Sequence, residues 1–358
     1  MRRLLCLLLA VLSVTLIIHA DAAPAPQVTR VPIGAGRVLT ISAPKQLTYG
    51  AHVGDFLVQP GSRNAAYAGM RYDGNTMTPF VSLVELKYGK TTTLLEGNGT
   101  SRRNDVPRQY ELSGWTGDGR YLLMWHTEMK AALDTVLEHT VLVYESMDTG
   151  VVPCKVRRIA LPDGSGEYRA RVGDFERSPS GKLFAMEWTG VELPAKSTTR
   201  AAFLYDPARN TVRCLPLPND ALFLGWADNA HLLLLTPSNH GPVSLSHDIV
   251  TGKDMPATNT LALPPNVPRA NPNMRLSLAT VLSDLSSLGV TGHVAAFTLL
   301  LNINTSDAHL PAVRLRAGLG AHGAQAILAP DESAALWVEH SDLFVCMFGE
   351  DAASVRER

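Results

Sequence analysis

Two stretches of the chain match each other without a gap: Val53 to Tyr67 reads VGDFLVQPGSRNAAY, and Val172 to Met186 reads VGDFERSPSGKLFAM. They share Val-Gly-Asp-Phe, a proline four positions later and a basic residue three beyond that. Chance does not supply such a match at this length, so the chain must repeat a structural unit.

Three weaker copies follow the same plan, GWTGDGRYLL from Gly114, GWADNAHLLL from Gly225 and ILAPDESAALWV from Ile327. The clearest context is Leu112 to His126, LSGWTGDGRYLLMWH: an apolar strand, a tight turn, a basic residue and a second apolar strand. Gly117, Asp118 and Gly119 tolerate left-handed backbone angles or bond their own backbone, as a short loop between antiparallel strands requires. Tyr121 to Trp125 is aromatic and apolar, as a buried strand should be. The aligned turn positions are Pro60, Gly117, Pro179, Asp228 and Pro330, spaced by 57, 62, 49 and 102 residues. The last interval is close to two units. It predicts a degenerate copy between Met274 and Asn302, with Thr291 to Leu301 its most strand-like part.

Behind each copy comes a further strand, turn and strand: Val81 to Leu86 with Thr91 to Leu95, Val141 to Glu145 with Val151 to Ile159, Ala202 to Asp206 with Thr211 to Leu217, and Val243 to Ile249 turning at Thr251-Gly252-Lys253. Units of this length, each a four-stranded antiparallel sheet, predict an all-β chain folded as a β-propeller. Six blades are expected, with seven as the alternative. The pattern at 115–124, 178–186 and 329–337 (Trp or Ser, Pro-Asp-Gly, Arg or Lys, aromatic, apolar) resembles the repeats of TolB-like and WD-repeat-like propellers of the six-bladed type. It also resembles the propeller domains of prolyl-oligopeptidase-type peptidases. The resemblance spans nearly the whole mature chain. It implies blades and leaves activity open, because propellers host unrelated functions.

The ends differ from the repeat. Arg2 and Arg3, the apolar run Leu4 to Ile18 and the small-residue site Ala20-Asp21-Ala22 describe a secretory signal peptide over 1–22, with an uncleaved anchor helix as the alternative. A single propeller domain is expected over 23–349, followed by a charged, frayed tail at 350–358. A Pro- and Asn-rich stretch at 254–275 reads as a long loop between blades. Of four cysteines, Cys6 leaves with the signal. A Cys154–Cys214 bridge suits an exported chain, and buried free thiols are the alternative. With a net charge of −1 there is no electrostatic footprint for nucleic acid. The sequons at Asn98 and Asn304 matter only in a eukaryotic host; the TolB-like repeat and the absence of a disulfide framework favour a bacterial envelope.

No catalytic signature is present. The chain lacks a Gly-x-Ser-x-Gly elbow and a hydrolase region after the propeller, a P-loop, a dinucleotide-binding fingerprint and a zinc motif. No catalytic or metal-ligating residues and no cofactor are therefore assigned. Calcium or another divalent metal stays open, with Asp163-Gly-Ser-Gly-Glu167 a short oxygen-rich turn. Asp55 and Asp174, matched in the two best repeats, are expected on the innermost strands with Glu176 and Arg177 beside the second. There they either cap a neighbouring blade's backbone or line a polar pocket at the channel mouth. Trp115, Trp125, Trp188, Trp226 and Trp337 are expected in the core. The leading function is an exported, non-enzymatic, monomeric binding module for a protein or envelope component, without an integral membrane span. A hydrolase or lyase with a metal in the central channel and a purely structural surface module are the alternatives.

Overall fold

The computed structural model describes residues 28–97, 100–101, 109–129, 137–145, 155–159, 168–192, 197–218, 221–239, 241–257, 274–284, 295–305, 309–320 and 325–352. The signal segment, Cys154, the 163–167 turn and most of the Pro- and Asn-rich stretch lie outside them. The described chain contains strands and turns: β1 (Val28–Gly34), β2 (Arg37–Ser42), β3 (Lys45–Gln46), β4 (Val53–Val58), β5 (Asn64–Asp73), β6 (Thr76–Glu85), β7 (Thr91–Glu96), β8 (Thr100–Ser101) and β9 (Gln109–Trp115). It continues with β10 (Tyr121–Met129), β11 (Leu137–Glu145), β12 (Lys155–Ile159), β13 (Tyr168–Arg177), β14 (Phe184–Glu192), β15 (Ser197–Asp206), β16 (Thr211–Pro216), β17 (Leu222–Trp226), β18 (His231–Thr236), β19 (Val243–Asp248) and β20 (Asp254–Pro256). The last strands are β21 (Met274–Asp284), β22 (Ala295–Thr305), β23 (Val313–Gly320), β24 (Ala326–Leu328), β25 (Ala334–Glu339) and β26 (Asp342–Ala352).

These strands form six sheets among the described residues, and the chain divides into two compact units. The larger unit, 54–84 with 91–267, holds the sheets β4-β5-β6-β7, β9-β10-β11-β12, β13-β14-β15-β16 and β17-β18-β19-β20. Each is an antiparallel meander of consecutive strands, the blade plan that the repeats predict, with β8 as an addition to the first. Second strands are apolar on both faces, as Leu122 to Trp125 show by being fully buried, because blades pack against both sides of them. Outer strands such as β16 are mostly exposed. Trp115, Trp125 and Trp226 are buried, and Trp125 stacks on Phe175 of the next blade with ring centroids 5.3 Å apart.

The turn between first and second strands repeats in atomic detail. Gln59, Thr116, Ser178 and Ala329 each donate their backbone N–H to the carbonyl five residues on, at Asn64, Tyr121, Leu183 and Ala334. The ungapped alignment of Pro60, Gly117, Pro179 and Pro330 is therefore the structural one. The fourth copy closes one residue earlier, with Ala227 N–H on the His231 carbonyl.

The smaller unit comprises 1–53, 85–90 and 268–358. One of its sheets runs β1-β2-β26-β25-β24, so the N-terminal hairpin joins the C-terminal strands. β26 extends three residues into the tail expected to fray, because Glu350, Asp351 and Ala352 pair with Leu39, Val38 and Arg37. The degenerate copy is the hairpin β21–β22, whose second strand is described from Ala295 onward, residues 291–294 lying outside the described residues. Among the described residues its sheet has three strands instead of four. The surplus strand β1 accompanies this shortage: Val31 and Ile33 share an apolar cluster with Val313 and Leu315 of β23. The stretch read as a loop at 254–275 also gives up its ends, to β20 and the start of β21. Cys214 and Cys346 are free thiols, the first exposed and the second buried, where burial pushes its pKa up to about 12.

Candidate functional site

The candidate residues lie on the first strands of the larger unit. Asp55 sits on β4, and its Oδ2 accepts the backbone N–H of Leu112 on β9 at 2.7 Å. The reason lies in β9 itself. Its register with β10 shifts at Leu123/Met124, so a bulge frees an amide from the ladder. A buried amide without an acceptor costs roughly 1–3 kcal/mol, and a carboxylate from the preceding blade removes that cost.

Arg177, at the end of β13, reaches β9 from the other side and donates Nη1–H to the Trp115 carbonyl at 3.2 Å. It is half-buried, and burial lowers its pKa from the ordinary guanidinium value. Glu176 is exposed, while its backbone carbonyl accepts the Trp226 indole N–H at 2.9 Å. Asp55, Arg177 and Glu176 thus belong to a series of links running β4 to β9, β13 to β9 and β17 to β13. They do not converge on one point. Asp174 lies on β13, and its side chain is outside the described residues.

Glu187, which no sequence signal marks, performs on β17 what Asp55 performs on β9. Its Oε2 accepts the Phe223 N–H at 3.1 Å, beside the register shift at Phe223/Gly225. Its Oε1 lies 3.4 Å from Arg200 Nε, and Arg200 also donates to the Ala221 carbonyl. In the smaller unit Glu332 Oε2 accepts the Leu276 N–H of β21 at 3.3 Å, a third case of the same device. Only a matched acid such as Asp55 could be found from the repeat; Glu187 and Glu332 occupy other positions of the unit.

The turns of the larger unit are linked as well. Gln59 Nε2–H donates to the Gly119 carbonyl at 2.7 Å, Gly117 N–H to the Gly181 carbonyl at 3.0 Å, and Ser180 N–H to Asn229 Oδ1 at 2.7 Å. In the last of these turns His231 Nδ1 lies 2.8 Å from Asp228 Oδ2, and its Nε2 lies 3.6 Å from Asp248 Oδ2. Burial pushes the Asp228 pKa up, but the Ala230 N–H and the His231 ring outweigh it and leave it below the ordinary value. Asp248 is lowered by the N–H groups of Thr251 and Val250.

These depressed values have a signed consequence. A carboxylate with a lower pKa in the folded state contributes stability above its unfolded value, about 3.9, and loses it as pH falls through the folded value. Asp248→Asn keeps an acceptor for both amides and removes the charge. Its melting temperature is expected to lie below wild type at pH 7, with the gap closing as pH falls below about 4. Thermal melts from pH 7 to pH 2 check this, and a gap that does not close removes the assigned cause.

On the exposed side of the same strands the residues differ from blade to blade. Glu176 stands on β13, whereas β17 exposes Leu222 and Leu224 at 43% and 37%. Among the described residues no three His, Cys, Asp or Glu side chains converge as metal ligands, and no helix is long and apolar enough to cross a membrane.

Meandering four-stranded sheets, their shared turn and the joining of both chain ends in one sheet define the chain as a β-propeller protein. No family model matches the sequence, and no curated protein does. Solved structures similar to it include TolB from Acinetobacter baumannii, at 16% identity and a TM-score of 0.31, covering 85% of this chain and 69% of that one. Pyrococcus horikoshii acylaminoacyl peptidase gives 8% identity and a TM-score of 0.43, covering 80% and 49%. Porphyromonas gingivalis dipeptidyl peptidase 4 gives 7% and 0.37, again covering 80% and 49%. The chain thus spans about half the length of each peptidase. Identities and TM-scores this low say nothing about activity.

Proposed function

We propose that the protein is an exported, non-enzymatic propeller that binds a protein or other envelope component through the exposed side of its first strands. The observation that carries this reading is a division of labour. Asp55, Glu187, Arg177 and the linked turns hold blades together, while the exposed positions Glu176, Leu222 and Leu224 differ in chemistry between neighbouring blades. The linking role recurs from blade to blade, carried by different acids, whereas the exposed chemistry does not recur, as suits a surface that serves a partner. Paired acidic and apolar exposure suits a mixed protein surface.

The test is a crosslinking pull-down of the tagged mature protein from envelope extract of its source, compared with Leu224→Glu and with Glu176→Arg. The expected result is one recurrent, stoichiometric partner that both variants lose while melting like wild type. Retention of every partner by both variants would sink the reading.

A further inference from the structure

A net charge of −1 hides a local concentration of the opposite sign. In the smaller unit, the turn joining β6 to β7 reads Leu86-Lys87-Tyr88-Gly89-Lys90, and it lies against the segment from Lys45 to His52. A hydrogen bond holds them together: Lys45 Nζ donates to the Lys87 carbonyl at 2.7 Å, and Gly89 lies beside the Lys45 and Leu47 side chains. The turn is closed by Gly89 N–H on the Glu85 carbonyl at 2.7 Å and by Glu85 N–H on the Lys90 carbonyl at 2.9 Å.

This firm base presents two tyrosines. Tyr49 is 80% exposed and Tyr88 67%, whereas the only other exposed aromatic among the described residues, Tyr72, reaches 38%. Lys87 Nζ stands 4.9 Å from the Tyr88 ring centroid. Across 43–52 and 85–90 there are three lysines, Lys45, Lys87 and Lys90, against two carboxylates: Glu85, and Asp342 of β26, which accepts from Gln46, Thr48 and the Ala51 N–H. Exposing two large rings to water is unfavourable unless a second medium takes them up. A tyrosine has an apolar body and a polar tip, which suits the boundary between headgroups and acyl chains. Flanking ammonium groups add attraction to anionic headgroups at about 1 kcal/mol each, which is about fivefold in partitioning.

We propose that the Tyr49/Tyr88 tip with Lys45, Lys87 and Lys90 is a membrane-surface contact that takes anionic phospholipid headgroups. It is distinct from the first strands of the larger unit and does not depend on the partner proposed for them. Both rings enter the headgroup layer, and the lysines meet the phosphates around them. Glu85 at the base of the turn and Asp342 against the Gln46–Ala51 stretch reduce the local charge without reversing it.

Co-sedimentation tests this with the full mature chain and vesicles of equal parts phosphatidylglycerol and phosphatidylcholine. Binding is expected to the mixed vesicles and to weaken with added salt, with little to phosphatidylcholine alone. The double variant Lys87→Ala/Lys90→Ala should bind about 20-fold more weakly, and Tyr49→Ser/Tyr88→Ser should lose binding while melting like wild type. Lys182→Glu, an exposed reversal in the other unit, serves as the charge control and should bind almost as well as wild type. Absence of binding by the wild type, a Lys182→Glu loss as large as that of the lysine pair, or retention of dextran sulfate binding with no vesicle binding would each overturn the proposal.

Discussion

Replacing Gly181 with alanine should destabilise the larger unit by about 3 kcal/mol, the sum of two separate costs. The first is backbone: φ is +71°, and an L-residue there pays about 1–2 kcal/mol. The second is contact: a Cβ on Gly181 would stand 2.6 Å from both Cα and N of Gly117, in the turn of the preceding blade. Neither atom belongs to a flexible side chain, so the turns must separate, and the Gly117 N–H bond to the Gly181 carbonyl lengthens with them. Gly252→Ala separates the two costs, because its φ is +69° but nothing lies within 4 Å of its Cβ. Denaturant unfolding should give about 1 kcal/mol for that variant, and equal losses for the two would show that the turn contact carries no weight. Gly119 stands under a parallel constraint, with its Cβ directed at the Pro60 carbonyl.

Glu187→Ala should cost about 3 kcal/mol, toward the lower end for breaking a buried ion pair, because the Arg200 side chain keeps 27% of its exposure and water screens part of its charge. Two groups lose the carboxylate together: the Phe223 N–H beside the β17 register shift, and the Arg200 guanidinium, which keeps only the neutral Ala221 carbonyl of its two named partners. Glu187→Gln keeps an acceptor for the amide and should lose less, about 1–2 kcal/mol. The double variant Glu187→Ala/Arg200→Ala should recover part of the loss of the single change, since no charge is then left unpaired. Urea unfolding of the three variants reads this directly. Additive losses would mean that the pair is not coupled, and the assignment of Glu187 as the link between these blades would fall.

The blade plan was legible because its unit is local. Strand, turn and strand fall within about 15 residues, and the turn needs particular residue types at particular offsets. Pro60, Gly117, Pro179 and Pro330 therefore align by eye as they align in space. The short sheet β21-β22-β23 was less legible, since its turn residues have lost the motif and only the interval of 102 residues marks its presence. Of the candidate site, Asp55 was visible through its match with Asp174. Its acceptor role was not, because Leu112 lies 57 residues away in another blade. Arg177 stood out only as a neighbour of Asp174 and meets Trp115 at a similar remove.

Alternating and continuous apolar patterns, together with glycine and proline at the turns, determined by themselves that the chain is all-β and repeats one antiparallel unit, since strand period and turn geometry are properties of neighbouring residues. Tertiary structure alone decided how the blades are joined: that β26 takes up the N-terminal hairpin, that Glu187 rather than a repeated acid serves β17, and that Gly181 has no room for a side chain against Gly117. These are contacts between residues far apart in the chain, where the partner of a freed amide or the space left for a Cβ exists only once two blades have packed together.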